Sequence, residues 1–526
     1  MKILISDNLD PQCVEILTRD GFEVENRPGI APAELRATIS AFDALLVRSA
    51  TKVTADVIAA GANLKIVGRA GTGVDNIDVP AATRRGVVVM NTPGGNTVSA
   101  AEHTVSMMLS LARNIPQAHA SLTGGAWDRK SFTGTEVFEK TVGVVGLGKI
   151  GREVAARCKG LGMTVVGYDP VLGAEASSRL GIEPVALDEL YRRADFITVH
   201  TPLTPETTGL LNDAAFQKCK KGVRVVNCAR GGIIDEAALL RALKSGHVAG
   251  AALDVFTAEP PTGNPLVGHP KVIVTPHLGA STEEAQEKVA IQIAHAVGDA
   301  LRGRGYAGVV NSSALNLTLQ GDVRPYVILA ERLGSAAAQL ARGKVKKVTI
   351  GIAGDQIAAS AEVLKAGVLK GVLSHAVPDP VNIVNAPFLA QELGLSVGVR
   401  QDSAQEDFPV RLSVGYETDQ DSHELSGVVF GLSATRLIGL DQYRLNVNPE
   451  GFLLIYKNLD RPGMLASVGG ILAQHGVNIA AVSLGRESAG GMALTVMNLD
   501  SAPDAACLSI LSQVDGVSSL RVVSLD

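Results

Sequence analysis

Residues 141–170 read "TVGVVGLGKIGREVAARCKGLGMTVVGYDP", and the order of residue types along this stretch decides the fold. An apolar β-branched run leads into Gly146-x-Gly148-x-x-Gly151. A helical segment follows, and a second apolar run ends at Asp169. The first glycine permits a tight turn, the second lets the backbone approach a pyrophosphate, and the third lets the helix pack close to the strand. The helix start then faces the anion with unpaired N–H groups. Asp169 falls about 18 residues beyond the third glycine. A carboxylate there can accept both ribose hydroxyls of NAD and would repel a 2′-phosphate, which favours NAD over NADP. A lone glycine triplet is weak evidence; the full strand–turn–helix–strand–Asp setting is specific. The second glycine-rich stretch, "GRAGTGVDNID" (68–78), lacks that setting. It reads as a backbone loop near the ligand that contributes Thr72 to a cofactor phosphate.

Outward from this segment, residues 1 to about 310 alternate short β-branched runs with helical text. The runs include "KILIS", "ALLVRS", "LKIVGRA", "GVVVMN", "FITVHTPL", "VRVVNCAR", "VAGAALDVF" and "KVIVTPH". Such alternation predicts βαβ units and a mostly parallel, helix-covered sheet. The stretch "SAAEHTVSMMLSLARNIPQAHASL" (99–122) has helical periodicity over a length that could form a spine between two lobes. After residue 317 the text mixes alanine-rich helical segments with polar strands such as "FPVRLSVGYETD", and the last 75 or so residues read β-α-β-β-α-β.

A chain of 526 residues is too long for one core. Its net charge of −5 argues against a broad nucleic-acid or anionic-membrane footprint. No stretch is long and apolar enough to span a bilayer, and the start "MKILISDNLD" reads as an immediate strand, which predicts a cytoplasmic protein. The five cysteines (13, 158, 219, 228, 507) are scattered and never in C-x-x-C spacing, as expected of reduced thiols with no metal site.

Hydride transfer to a nicotinamide leaves the protein to hold a 2-hydroxy or 2-oxo carboxylate and to move one proton. An arginine fork suits the carboxylate and a histidine suits the proton. Arg230 in "VVNCARGGIIDE" and His277 in "VTPHLGAST" both follow predicted strands, and Glu259 in "LDVFTAEPP" is a candidate partner for the imidazole. Singly, each has an ordinary loop role. Together, after a dinucleotide fingerprint, they lie at the carboxyl ends of strands, where open α/β sheets bind ligands.

With "GLGKIG" and Asp169, the segments "NCARGGIIDE", "ALDVFTAEP" and "TPHLGAST" resemble the signatures of the D-isomer-specific 2-hydroxyacid dehydrogenases. That resemblance implies Arg230 as the arginine binding carboxylate and carbonyl, Glu259 as the histidine's partner and His277 as the acid/base. It implies NAD contacts from Gly146, Gly148, Lys149, Ile150, Gly151, Asp169, Thr201, Cys228, Ala229, Arg230, Asp254, His277, Gly279 and Ala280. The implied fold is α/β: a Rossmann domain (97–281) inserted in a smaller flavodoxin-like substrate domain (1–96 and 282–310). An α+β intervening domain (317–450) and a ferredoxin-like ACT domain (452–526) follow. This arrangement resembles the long members of the family that act on phosphorylated substrates. Arg48, Arg69 and Asn96, with Arg230 and His277, would then hold a phosphorylated 2-hydroxy acid. Trp127 in "AWDRKSFTG" would reach a neighbouring subunit, and Arg436 would add an anion site. Similarity to ACT domains implies a homo-oligomer, as a tetramer, with Asp460 and Asn478 binding L-serine. Asn458 stands where some serine-sensitive relatives carry tyrosine. Two other readings fit the same residues at this level: a glycerate or 2-oxoglutarate reductase, and a non-enzymatic NAD-sensing protein.

Overall fold

In the computed structural model, which describes residues 1–316, 323–378, 380–404 and 406–525, the chain forms two compact units. One holds Ala70–Thr72 and Thr92–Gln292; the other holds Met1–Arg69, Gly73–Asn91 and Ile293–Asp526.

The larger unit begins with a five-stranded parallel sheet. It contains β1 (Lys2–Ile5), β2 (Glu23–Asn26), β3 (Ala44–Val47), β4 (Ile66–Arg69) and β5 (Val88–Met90). The order β2-β1-β3-β4-β5 is the flavodoxin-like one. β3 and β4 are apolar on both faces and buried, as a helix-covered central strand must be. The polar β2, "EVEN", lies at the edge, where strand periodicity gives no signal. The return segment closes the other edge through an antiparallel bridge between Met90 and Val309.

The smaller unit carries the nucleotide-binding fold. Its strands are β6 (Thr141–Val145), β7 (Thr164–Tyr168), β8 (Glu183–Pro184), β9 (Phe196–Val199), β10 (Val223–Asn227), β11 (Val248–Leu253) and β12 (Val272–Val274). Their order, β12-β11-β10-β9-β6-β7-β8, is doubly wound. Helices cover both faces. Met107, Met108 and Leu111 of Thr97–Arg113 pack with Val154 and Cys158 of Lys149–Gly160 on one side. Leu190, Phe216 and Leu239 fill the other. Each such buried aliphatic or aromatic side chain contributes roughly 1.5–3 kcal/mol.

The expected single spine at 99–122 is two helices, Thr97–Arg113 and Ile115–Thr123, joined at a left-handed Asn114. Pro116 cannot donate to the carbonyl of Ala112. The Thr135 backbone N–H takes that acceptor instead, at 2.9 Å. Asparagine tolerates the left-handed region better than most residues, so the break falls there.

The rest of the larger unit holds a six-stranded sheet of β13 (Lys347–Ala353), β14 (Ser396–Gln401), β15 (Arg411–Glu417), β16 (Ser422–Phe430), β17 (Ala434–Leu440) and β18 (Tyr443–Val447). A four-stranded antiparallel sheet follows: β19 (Gly451–Leu459), β20 (Ile479–Arg486), β21 (Met492–Leu499) and β22 (Val517–Leu525), in the ferredoxin-like order β20-β21-β19-β22. One face of this last sheet packs on its own helices through Leu454, Tyr456 and Val468. The other shares a core with the six-stranded module, where Leu453, Ile455, Val496 and Val523 join Leu333, Val348 and Val414. Among the described residues no helix is long and apolar enough to cross a membrane.

Candidate active site and nucleotide-binding turn

The glycine turn after β6 has the shape its sequence predicts. Gly146 has φ +91°, and a Cβ on Gly151 would sit 2.0 Å from the Gly146 carbonyl oxygen, so only glycine lets the helix approach the strand. The helix Lys149–Gly160 has Gly148 as N-cap with no side-chain cap, which leaves its first N–H groups facing outward. Asp169, one residue past β7, accepts from the backbone N–H groups of Leu147 (2.7 Å), Val171 (2.8 Å) and Leu172 (3.0 Å). Burial opposes its charge, but these donors and Arg152 outweigh it and hold the carboxyl below its ordinary range. Thr201, after β9, has a buried hydroxyl with no partner among the described residues, and its methyl group would meet a Cβ on Gly146. An orphaned hydroxyl, an uncapped helix start and an ionised aspartate at the end of the second strand together fit NAD. Lys149 reaches back to the Pro93 carbonyl (3.1 Å), and the Thr72 hydroxyl bonds the Asn96 amide oxygen (2.7 Å). Thr72 and Asn96, predicted as separate cofactor and substrate contacts, are therefore partners of each other. Ile150, at the second helical position, is half-buried and packs towards the core.

β10, β11 and β12 are adjacent and parallel, so the loops leaving them emerge side by side. Arg230 follows β10 in a turn tied by Asn227, whose amide donates to the Arg230 carbonyl (2.8 Å) and accepts from the Ala229 N–H (3.0 Å). The Arg230 guanidinium also bonds the Ala229 carbonyl (2.7 Å). A Cβ on Gly231 would overlap the Phe256 carbonyl at 1.9 Å, so this turn and the one after β11 touch backbone to backbone. Glu259 lies on that second turn. One carboxylate oxygen accepts from the Phe256 N–H (3.1 Å), and the other meets His277 Nδ1 at 2.9 Å. A carboxylate only accepts, so Nδ1 carries the hydrogen and Nε2 is left for other chemistry.

His277 itself is left-handed, with φ +56°. Asp254 holds it there. The His277 N–H donates to the Asp254 carbonyl (2.9 Å), while the Asp254 carboxylate accepts from Leu278 N (2.7 Å), Gly279 N (2.9 Å) and the Thr275 hydroxyl (2.6 Å). His103 Nε2 adds a fourth contact at 3.1 Å. Burial works against the Asp254 charge, but His103, Thr275 and Leu278 reverse the balance and lower its pKa. Asp254 was predicted as a cofactor contact; it is almost fully buried and forms the hub of this loop. Cys228 lies beside it, and burial followed by the Asp254 charge pushes the thiol up to about 12. The atoms of His103, Cys228 and Asp254 converge as metal ligands would, but the Asp254 oxygens already serve four hydrogen-bonding groups. Gly279, whose carbonyl accepts from Ser99 (2.9 Å), and the half-buried Ala280 complete the turn. Sequence reasoning missed His103, Ser99 and Thr275. The first two sit in ordinary helical text, and only Thr275 lay within a motif.

In the larger unit, Arg48 and Arg69 mark the ends of the neighbouring strands β3 and β4. Arg69 Nε donates to the Arg48 carbonyl (3.1 Å), and Asp7 accepts from the Arg48 N–H (2.6 Å). In the four-stranded sheet the predicted effector pair is not brought together. Asp460 accepts from Arg486 (3.0 Å) and Gly490 N (3.3 Å), whereas Asn478 donates to Asp500 (2.7 Å). Asn458 is buried and accepts from the Thr495 hydroxyl (2.9 Å). Arg436 turns back to the Thr435 carbonyl (2.8 Å), and Trp127 is 79% exposed.

Three family models match the chain. The family described as "D-isomer specific 2-hydroxyacid dehydrogenase, NAD binding domain" matches residues 105–279. The "D-3-phosphoglycerate dehydrogenase intervening domain" matches 322–441, and the ACT domain matches 452–516. A crystal structure of a Thermus thermophilus protein is 34% identical, covers 59% of this chain and all of its own, and has a TM-score of 0.55. Escherichia coli D-lactate dehydrogenase is 28% identical over 59% of this chain and 99% of its own, with a TM-score of 0.52. Fold and site thus define an NAD-dependent oxidoreductase of the 2-hydroxyacid dehydrogenase class. The D-3-phosphoglycerate dehydrogenase of Synechocystis is 42% identical over all of this chain and 95% of that protein. Its namesake in Methanocaldococcus jannaschii is 41% identical over the whole of both chains, and the human one is 52% identical over 75% of this chain and 74% of its own. The chain belongs to the D-3-phosphoglycerate dehydrogenase family.

Proposed function

We propose that this chain oxidises D-3-phosphoglycerate to 3-phosphohydroxypyruvate with NAD, the first step of L-serine synthesis. The observation that carries this reading is the 2.9 Å contact between His277 Nδ1 and Glu259, placed at strand ends of a fold whose relatives bear that activity. When bound, NAD would supply the acceptor for the hydride that leaves C2 of the substrate. The remaining work falls to the chain. Arg230 binds the carboxylate and polarises the C2 oxygen. His277 Nε2 takes the C2 hydroxyl proton, and Glu259 stabilises the imidazolium that results. Arg48, Arg69 and Asn96 bind the phosphate and carboxylate. In the reverse direction the same Nε2 returns the proton.

The direct test mixes purified protein with NADH and 3-phosphohydroxypyruvate. Loss of NADH absorbance is expected, and a slower rate is expected for a 2-oxo acid lacking the phosphate. An equal rate without the phosphate would favour a broader hydroxyacid dehydrogenase. We also propose a cytoplasmic homo-oligomer, a tetramer, whose ACT domains respond to L-serine. The exposed Trp127, Leu465, Val482 and Leu484 are apolar surface available for such assembly.

A further inference from the structure

The junction between the six-stranded and four-stranded sheets encloses a cavity of about 70 Å³ that none of the chemistry above uses. That is room for about five waters, or for one tetrahedral oxyanion. Its apolar side is Leu340, Leu440, Ile455 and Leu494. The rest of its lining is polar and comes from five separate segments. Arg342 follows the helix Arg324–Leu340, Asp421 sits at the β15–β16 turn with His423 at the start of β16, Asp441 lies between β17 and β18, and Lys457 and Arg521 stand on β19 and β22.

Two features mark this as a built site. First, the Tyr416 side chain lines the cavity, is 99% buried, and has a hydroxyl with no hydrogen-bond partner among the described residues. Burial, then Asp421 and Asp441, raise its pKa, while Arg342 and Arg521 oppose the rise, so the hydroxyl stays protonated. A buried donor left without an acceptor costs stability unless something fills the place. Second, β22 carries an extra residue opposite Tyr456: Ile455 pairs with Arg521 but Lys457 pairs with Ser518, and Ser519 there has φ +51°. Such a bulge re-aims the side chains around it, here Ser519 and Arg521, which both line the cavity.

The charges are unequally satisfied. Asp441 accepts from His423 Nδ1 (2.7 Å) and Glu424 N (3.1 Å). Asp421 accepts from the Thr418 hydroxyl (2.8 Å) and the Arg342 backbone N–H (3.1 Å). The cations have weaker company. Arg342 reaches only the Ser519 hydroxyl (3.5 Å), Arg521 the Leu520 carbonyl (3.3 Å), and Lys457 lies 5.7 Å from the Tyr443 ring centre. Among the described residues none of the three has a carboxylate at ion-pair distance. Three cations and a buried hydroxyl donor around a small volume suit an acceptor-rich anion.

We infer that this cavity binds a phosphate-class oxyanion, donated to by Tyr416 Oη, Arg342, Lys457 and Arg521, and clamps the hairpin of β15–β16 to β22. The anion is either free inorganic phosphate or the phosphoryl group of a small metabolite. Hydrogen exchange of the full chain tests this at residues 417–422 and 517–525, with titrated inorganic phosphate, sulfate or 3-phosphoglycerate at constant ionic strength. At ten times the dissociation constant, exchange limited by opening of the site slows roughly tenfold. The protection is expected to survive Arg69→Met, which removes a cation proposed for the substrate phosphate. It should vanish in Lys457→Met/Arg521→Met, and Tyr416→Phe should weaken phosphate binding roughly tenfold. NADH turnover without added phosphate should stay at the wild-type rate in all three cavity substitutions. A response to inorganic phosphate and sulfate identifies a free-oxyanion site; a response to 3-phosphoglycerate alone identifies the phosphoryl group. No protection by any of the three, or protection that persists in the double variant, overturns the inference.

Discussion

The loops after β10–β12 and the first helix of the four-stranded sheet were both predicted to gather polar residues around a ligand, and they differ in what they achieve. After the parallel strands, Glu259 and His277 meet at 2.9 Å, and Asp254 fastens the backbone that presents the imidazole. In the four-stranded sheet, Asp460 goes to Arg486 and Asn478 goes to Asp500. A parallel sheet sends successive loops out at one end, so residues far apart in sequence converge without help. In the antiparallel sheet Asp460 and Asn478 flank opposite ends of the helix Met464–Gln474, so they do not meet within one chain, whereas the expected serine site lies between paired ACT domains.

The contrast can be broken at three points. The largest effect belongs to His277→Gln, which keeps the side chain polar but removes the proton carrier. Turnover should fall roughly a hundred- to ten-thousand-fold with NADH binding largely retained, as read by steady-state rates and NADH fluorescence titration. Wild-type turnover would take His277 out of the mechanism. Asp254→Asn comes next. It places an amide NH2 among four hydrogen-bonding groups, so one carboxylate acceptor becomes a donor. Misplacing the imidazole by about 1 Å should lower kcat/KM roughly a hundredfold, and stability should drop by about 2 kcal/mol in urea unfolding. Unchanged kinetics would show that the turn does not depend on its hub. Asp460→Ala should have the smallest effect, leaving turnover without serine at the wild-type level because its partner Arg486 is exposed. A serine titration of both proteins sharpens the comparison: an unchanged inhibition curve would place the effector elsewhere.

Much of this architecture was readable in advance, and the exceptions share a cause. The ten apolar runs of the first 310 residues all became strands, because a buried parallel strand is apolar on both faces. β2 and β8 escaped, being short, polar and at sheet edges, where hydrophobic patterning is silent. The split of the spine helix was written in Pro116, but its position at Asn114 depended on Thr135 arriving to take the Ala112 carbonyl. Arg230, Glu259 and His277 stood out through their motifs. His103 did not, since a histidine in helical text carries no mark of the aspartate it will face.

The nucleotide-binding turn is therefore a property of the sequence itself. Gly146, Gly151 and Asp169 act through steric and electrostatic demands that span one strand, one turn and one helix, and Gly148 leaves open space at the helix start. The working histidine is different. Nothing within "TPHLGAST" dictates a left-handed His277 or directs its Nδ1 to Glu259. That conformation exists because a buried aspartate from the neighbouring strand supplies the acceptors that three backbone N–H groups would otherwise lack, and only the assembled sheet puts it there.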